Sequence, residues 1–197
     1  PRIEVIAPSP TPMPTASPSP TGPPTSTPRP RSLYLPLLSL RHCLARSGLM
    51  DVALVLDSSQ SMLEAGRGGR SKLDAAREAV QVFLDLLLLP ADRAAIVRFS
   101  GDAAVLQGLT GERALLEAGL RRLTVSSGTR IHLGLEKARG LLAPRNPGRR
   151  SVILLLTDGR SDPDPASLAI AQARAAQADG IVVVAVGLGA DIDRASL

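Results

Sequence analysis

From residue 50 onward the sequence predicts an α/β fold, a doubly wound, mostly parallel sheet with one antiparallel edge strand and helices on both faces. Three observations lead there. Residues 50–56 (M-D-V-A-L-V-L), 152–156 and 181–186 are apolar runs of strand length, as expected of strands covered on both faces. The stretches between them carry apolar residues at helical spacing, so strands and helices alternate along the chain. Two short runs, 93–100 and 103–109, are separated by Gly101-Asp102, which reads as a hairpin and supplies the antiparallel edge.

The elements follow in order. The first strand, 51–57, stops in Asp57-Ser58-Ser59-Gln60-Ser61. Ser71 with Asp74 reads as a capping box, and Leu73, Ala76, Val80, Phe83 and Leu87 continue at helical spacing as far as Pro90. After the hairpin, Thr110 is placed to cap a short helix reaching Arg122. A third helix covers about 130–142 and stops before Pro144. The next strand, 151–157, ends in Thr157-Asp158-Gly159. Asp164 as N-cap and Pro165 in the first turn open a helix to about 178, which Gly180 ends. A last apolar strand, 181–186, precedes a helix that begins at Asp191 and is cut off at Leu197. Right-handed crossovers then give the strand order 3-2-1-4-5.

The N-terminal 49 residues are of another kind. Of the 23 residues from 8 to 30, 19 are Pro, Ser or Thr. Proline removes backbone donors and little else here is apolar, so the segment cannot form a packed core and reads as an extended spacer. Tracts of this composition also serve as O-glycosylated stalks, which points to an exported or cell-surface protein. Residues 31–49 regain apolar character without a period and read as a junction. Domain limits are therefore 1–49 for the linker and junction and 50–197 for the folded part. Leu33-Tyr34-Leu35-Pro36-Leu37-Leu38 is too short to span a bilayer and is interrupted by proline. Because the chain opens on Pro1 rather than Met, it reads as a fragment with room for a signal peptide upstream, and membrane attachment is expected only through segments outside this sequence.

Charge and cysteine narrow the chemistry. The net charge of +5 is concentrated in the first 49 residues, with five Arg against one Glu, whereas 50–197 holds 18 Lys and Arg against 17 Asp and Glu. Aromatics make up 2% of the chain, so no basic surface with stacking side chains is available and nucleic acid is not an expected partner. The single cysteine, Cys43, excludes an intrachain disulfide and a cysteine-based zinc site. His42 and His132 are the only histidines, and His132 falls within a helix as a packing or surface residue.

What remains is oxygen chemistry. Two buried strands each deliver an acid, Asp57 and Asp158, at their C-terminal ends, where open α/β sheets bind ligands. Ser59 and Ser61 lie two residues apart, so in an extended turn they face the same way. Ser127-Gly128-Thr129 lies between the two strands in sequence and offers a further hydroxyl. Carboxylates and hydroxyls without His or Cys are hard ligands suited to Mg²⁺, Mn²⁺ or Ca²⁺. Each element alone has a plainer use: D-x-S caps helices, Asp-Gly makes turns, and Thr129 is placed to start the 130–142 helix.

Taken together, D-x-S-x-S at Asp57, Ser59 and Ser61, Thr129 in S-G-T, and Asp158 in L-L-T-D-G resemble the von Willebrand factor type A domain and its metal-ion-dependent adhesion site (MIDAS). The resemblance covers roughly 49–197 and implies a Rossmann-like fold. It further implies that Ser59, Ser61 and Thr129 ligate a divalent cation, Mg²⁺ or Mn²⁺ ahead of Ca²⁺, with Asp57 and Asp158 acting mainly through water. A shell so poor in charge leaves the cation open to an external carboxylate, an Asp or Glu of a protein partner. Gln60 departs from the small residue common at its position. In the family a further strand and helix follow, so a C-terminally truncated domain is expected.

A competing class is a haloacid-dehalogenase-like phosphate hydrolase using Asp57 as nucleophile. That chemistry wants a second acid where Ser59 stands and a positioned lysine, for which 50–197 offers Lys72 and Lys137. Gly66-Arg67-Gly68-Gly69 does not fit a phosphate-binding loop, and no set of Ser, His and Asp or pair of catalytic acids stands out. The expectation is a non-enzymatic, metal-dependent, adhesion-type module that binds protein.

Overall fold

The computed structural model describes residues 48–65, 69–143, 146–159 and 161–188. The Pro/Ser/Thr segment, most of the junction, Cys43, Gly66-Arg67-Gly68 and the helix expected from Asp191 lie outside the described residues.

Five strands form one sheet: β1 (Leu49–Asp57), β2 (Arg93–Phe99), β3 (Ala103–Thr110), β4 (Arg149–Thr157) and β5 (Val182–Gly187). Their order is β3-β2-β1-β4-β5, with β2 and β3 antiparallel and every other pairing parallel, as the alternation and the hairpin predict. Four helices connect them: α1 (Lys72–Leu86), α2 (Arg113–Arg121), α3 (Ile131–Leu142) and α4 (Ala166–Ala178). A single 3₁₀ turn, Gln60–Leu63, follows β1.

The central strand explains the layers. Val52, Ala53, Leu54, Val55 and Leu56 are all fully buried, so both faces of β1 are covered. Residues of one parity (Ala53, Val55, Val97, Phe99) pack with Ile131, Leu135 and Ala138 of α3. The approach is close: a Cβ added to Gly134 would lie 2.9 Å from Val55 Cγ1. Residues of the other parity meet the opposite layer, where a Cβ on Gly119 of α2 would lie 3.6 Å from Ile96 Cδ1. Side chains alternate across a strand, so α2 and α3 cover opposite faces. Among the described residues no helix is long and apolar enough to cross a membrane.

Two expected helix starts are corrected. Ser71 does cap α1, its Oγ accepting from the Asp74 N–H at 3.1 Å. Thr110, in contrast, ends β3, and its hydroxyl accepts from the Glu112 N–H at 3.1 Å, so the N-cap of α2 is Glu112, with no side-chain cap. Asp164 is not the N-cap of α4 either; Pro165 holds that place, and the Asp164 carboxylate turns to Arg130, 3.1 Å away. In both cases a short polar side chain bonds a donor other than the first N–H groups of the helix it precedes. Helix α1 also ends at Leu86, short of Pro90, because the chain turns to bring Asp92 under the Leu88 N–H (2.9 Å) and the Met50 N–H (2.8 Å).

At that N-terminal edge of the sheet lies an ion-pair cluster. Asp51, buried at the start of β1, accepts from Arg93 Nε (2.8 Å) and Nη2 (2.6 Å) and from Arg149 Nε (2.7 Å). Arg149 also donates to the carbonyls of Met50 and Ala91. Burial pushes the Asp51 carboxyl up, but the two guanidinium groups outweigh it and hold the acid below the usual carboxylate range.

Candidate metal centre

Strands β1 and β4 are parallel neighbours in matched register, Leu56 facing Leu156, so they release their chains at the same level. The residues that follow each strand are thereby brought side by side at the C-terminal edge of the sheet. Asp57 is fully buried there. Its Oδ1 accepts from the Ser59 N–H at 2.9 Å and its Oδ2 from the Thr157 hydroxyl at 2.5 Å. The 3₁₀ turn then folds Ser61 back toward Ser59, their Oγ atoms 3.0 Å apart. Ser61 Oγ donates to Asp158 Oδ1 at 2.9 Å. A hydroxyl has one proton, so Ser59 must be the donor in the Ser59–Ser61 contact. The chain of hydrogen bonds runs Ser59 to Ser61 to Asp158, and both serine oxygens keep lone pairs free to accept or ligate.

Ser58 is turned the other way, its hydroxyl donating to the Phe99 carbonyl at 2.9 Å. Its own carbonyl accepts from the Ser126 N–H at 2.9 Å and ties the Ser127-Gly128-Thr129 loop to this edge. Gly101 N–H donates to the Ser127 carbonyl (2.7 Å) and Arg130 N–H to that of Ser100 (2.7 Å). Glycine is required where the loops touch: Gly128 has φ +84°, and a Cβ there would lie 2.8 Å from Gly101 Cα. Thr129 is buried in this loop and exchanges backbone hydrogen bonds with Asp162. Asp57, Ser59, Ser61 and Asp158 thus form one bonded group, while Thr129 is carried to the same edge by its loop and stands outside the chain of side-chain hydrogen bonds.

Three participants escaped sequence reasoning. Thr157 holds the second oxygen of Asp57. Lys72, considered only as a lysine for phosphate chemistry, places Nζ 2.7 Å from Asp158 Oδ2 and 2.8 Å from Glu64 Oε2. Glu64 is exposed at the end of the 3₁₀ turn. The strand-end position of Thr157 was a usable signal; nothing local announces that the first residue of α1 reaches across to β4.

Burial raises the Asp57 carboxyl above its ordinary range; the hydrogen bonds from Thr157 and Ser59 act against this, and the nearby charge of Asp158 adds to it. Lys72 is held more firmly protonated, first by its bond to Asp158 and then by that to Glu64. Among the described residues no group of three or more His, Cys, Asp or Glu side chains gathers anywhere. The donor set is two acids with hydroxyls, all hard oxygens. With free lone pairs on both serines and a buried acid carrying no cationic partner, these residues fit a divalent cation.

The sequence profile of the von Willebrand factor type A domain matches residues 52–160, more than half of the chain and inclusive of both acids. The chain belongs to this family. Solved structures agree with the A-domain fold. Proximal thread matrix protein 1 from the mussel byssus, whose MIDAS motif is occupied by zinc, is 26% identical over 77% of this chain and 38% of its own, with a TM-score of 0.65. BatB from Bacteroides thetaiotaomicron is 26% identical over 70% of this chain and 66% of its own, with a TM-score of 0.61. The A domain of the type V pilus tip protein Mfa5 from Porphyromonas gingivalis is 28% identical over 59% of this chain and 40% of its own, TM-score 0.50. This A-domain chain therefore spans less than two thirds of the length of each of those proteins. No curated protein matches it.

Proposed function

We propose that this A domain is a metal-dependent protein-binding module of an exported or cell-surface protein. Ser59, Ser61 and Thr129 would ligate a divalent cation, Mg²⁺ or Mn²⁺, and Asp57 and Asp158 would hold it through water. The bound cation supplies a Lewis-acidic position open to an Asp or Glu carboxylate of a partner. The observation that carries this is the bonded group Asp57–Ser59–Ser61–Asp158, assembled from two parallel strand ends. Asp57 fixes the turn through the Ser59 N–H and the strand end through Thr157, so the two serine hydroxyls are aimed before any ligand arrives.

Family membership and relatives in a byssal thread and a pilus tip support the adhesion reading, and the Pro/Ser/Thr-rich spacer supports export. The zinc in the mussel protein belongs to that protein, but it makes Zn²⁺ a necessary third ion in any titration. Asp57 is an unpromising nucleophile, being buried with both oxygens already accepting hydrogen bonds.

The test uses a Glu-bearing peptide selected against the Mn²⁺-loaded protein. Binding should vanish in EDTA, return with Mn²⁺ or Mg²⁺, and fall sharply when the peptide Glu becomes Gln. Metal-dependent turnover of p-nitrophenyl phosphate that disappears in Asp57→Asn would instead establish the hydrolase.

A further inference from the structure

We propose that Lys72 is a tethered counter-cation of the site, which a divalent ion must displace from Asp158, and that Glu64 is the place to which it is displaced. The proposal rests on the metal reading above and adds a residue that sets affinity. The two oxygens of Asp158 are divided: Oδ1 accepts from Ser61 and Oδ2 from Lys72 Nζ at 2.7 Å. The Asp158 side chain is 1% exposed and that of Lys72 17%, so this pair is screened little by solvent. The same ammonium lies 2.8 Å from Glu64 Oε2, whose side chain is 67% exposed. One lysine therefore bridges a buried acid inside the site and a solvated acid at its rim.

Lys72 is not placed for the sake of its helix. It is the first residue of α1, where the backbone dipole disfavours a cation. Its charge is compensated by Asp158 and Glu64. A doubly charged ion beside Asp158 and an ammonium in contact with the same carboxylate repel each other strongly in so sheltered a place. Binding of one weakens the other, and the lysine has a short path to Glu64 that leaves its stem in position.

The test is calorimetric titration of the full chain with Mg²⁺, with Mn²⁺ and with Zn²⁺. Lys72→Gln is expected to bind the ion on the order of tenfold more tightly, since a competing charge is gone. Glu64→Gln is expected to bind several-fold more weakly, because Lys72 then has Asp158 alone. That weakening should largely disappear in the Lys72→Gln background, which separates displacement of the lysine from a simple loss of negative charge. Lys72→Ala carries the same forecast as Lys72→Gln and serves as the second variant should either fail to fold. Unchanged or weaker affinity in a folded Lys72 variant, with the parent chain titrating normally, overturns this inference and leaves the metal reading intact. Absence of binding in the parent and in every variant overturns the metal reading and this inference with it.

Discussion

The two ends of β1 carry an aspartate each, and the two are held in opposite ways. Asp51 is surrounded by cations: three contacts from Arg93 and Arg149, with Arg149 further anchored on two carbonyls. Asp57 is more deeply buried and is held by neutral donors, one N–H and one hydroxyl. The first acid lies below its ordinary range and the second above it. One end of the sheet closes its own electrostatics. The other keeps a desolvated carboxylate beside free hydroxyl lone pairs, and burying charge without a counter-ion is costly. Such a site is best satisfied by a cation from outside. On the proposed reading, the difference separates an acid that holds the fold from one that serves the site, although both sit on one strand.

The comparison breaks most visibly at Asp51. Asp51→Ala would leave Arg93 and the nearly buried Arg149 without their carboxylate and should cost about 3 kcal/mol in urea unfolding. Loss of less than about 1 kcal/mol would show that the cluster is ornamental to stability. The same acid gives a pH signature. Its folded pKa is depressed, so its contribution is present above the ordinary carboxylate value and is lost as pH falls through the folded value. Acid unfolding of the parent should therefore steepen below about pH 4, and that component should be missing in Asp51→Asn.

A second break is at the loop that carries Thr129. Gly128→Ala must adopt positive φ and collide with the Gly101 backbone, so a loss of about 2 kcal/mol is expected, with faster hydrogen exchange at the Gly101 amide. Unaltered exchange there would mean that the loop is held by other contacts.

The smallest effect has the opposite sign. Since burial raises the Asp57 carboxyl, its ionised form weakens the metal-free fold at neutral pH, and this cost fades as pH falls through the raised value. Asp57→Asn should thus leave metal-free stability at pH 7 unchanged or increase it by up to about 1 kcal/mol. A clear loss would make Asp57 a structural acid like Asp51.

Most of the fold was legible because its signals are local. Buried runs at 50–56 and 152–156 named the central strands, and Gly101-Asp102 named the hairpin. The grouping of Asp57, Ser59, Ser61 and Asp158, the acids and serines of the candidate site, was legible for the same reason, since they stand next to those runs. Thr110 and Asp164 misled because a residue suited to capping is equally suited to other donors, and tertiary position decides between them. Lys72 and the Asp51 cluster were not legible at all. Each joins residues tens of positions apart, and long charged side chains leave no periodic trace of where they reach.

The central claim is that the C-terminal edge of β1 and β4 is a cation site while the N-terminal edge is not. Titration calorimetry of the parent, Asp57→Asn and Arg93→Gln with Mg²⁺, Mn²⁺ and Zn²⁺ tests it most directly. Binding by the parent, its loss in Asp57→Asn with the fold retained, and its persistence in Arg93→Gln are the predicted results. No binding of any of the three ions by the parent, or undiminished binding in Asp57→Asn, would contradict the account.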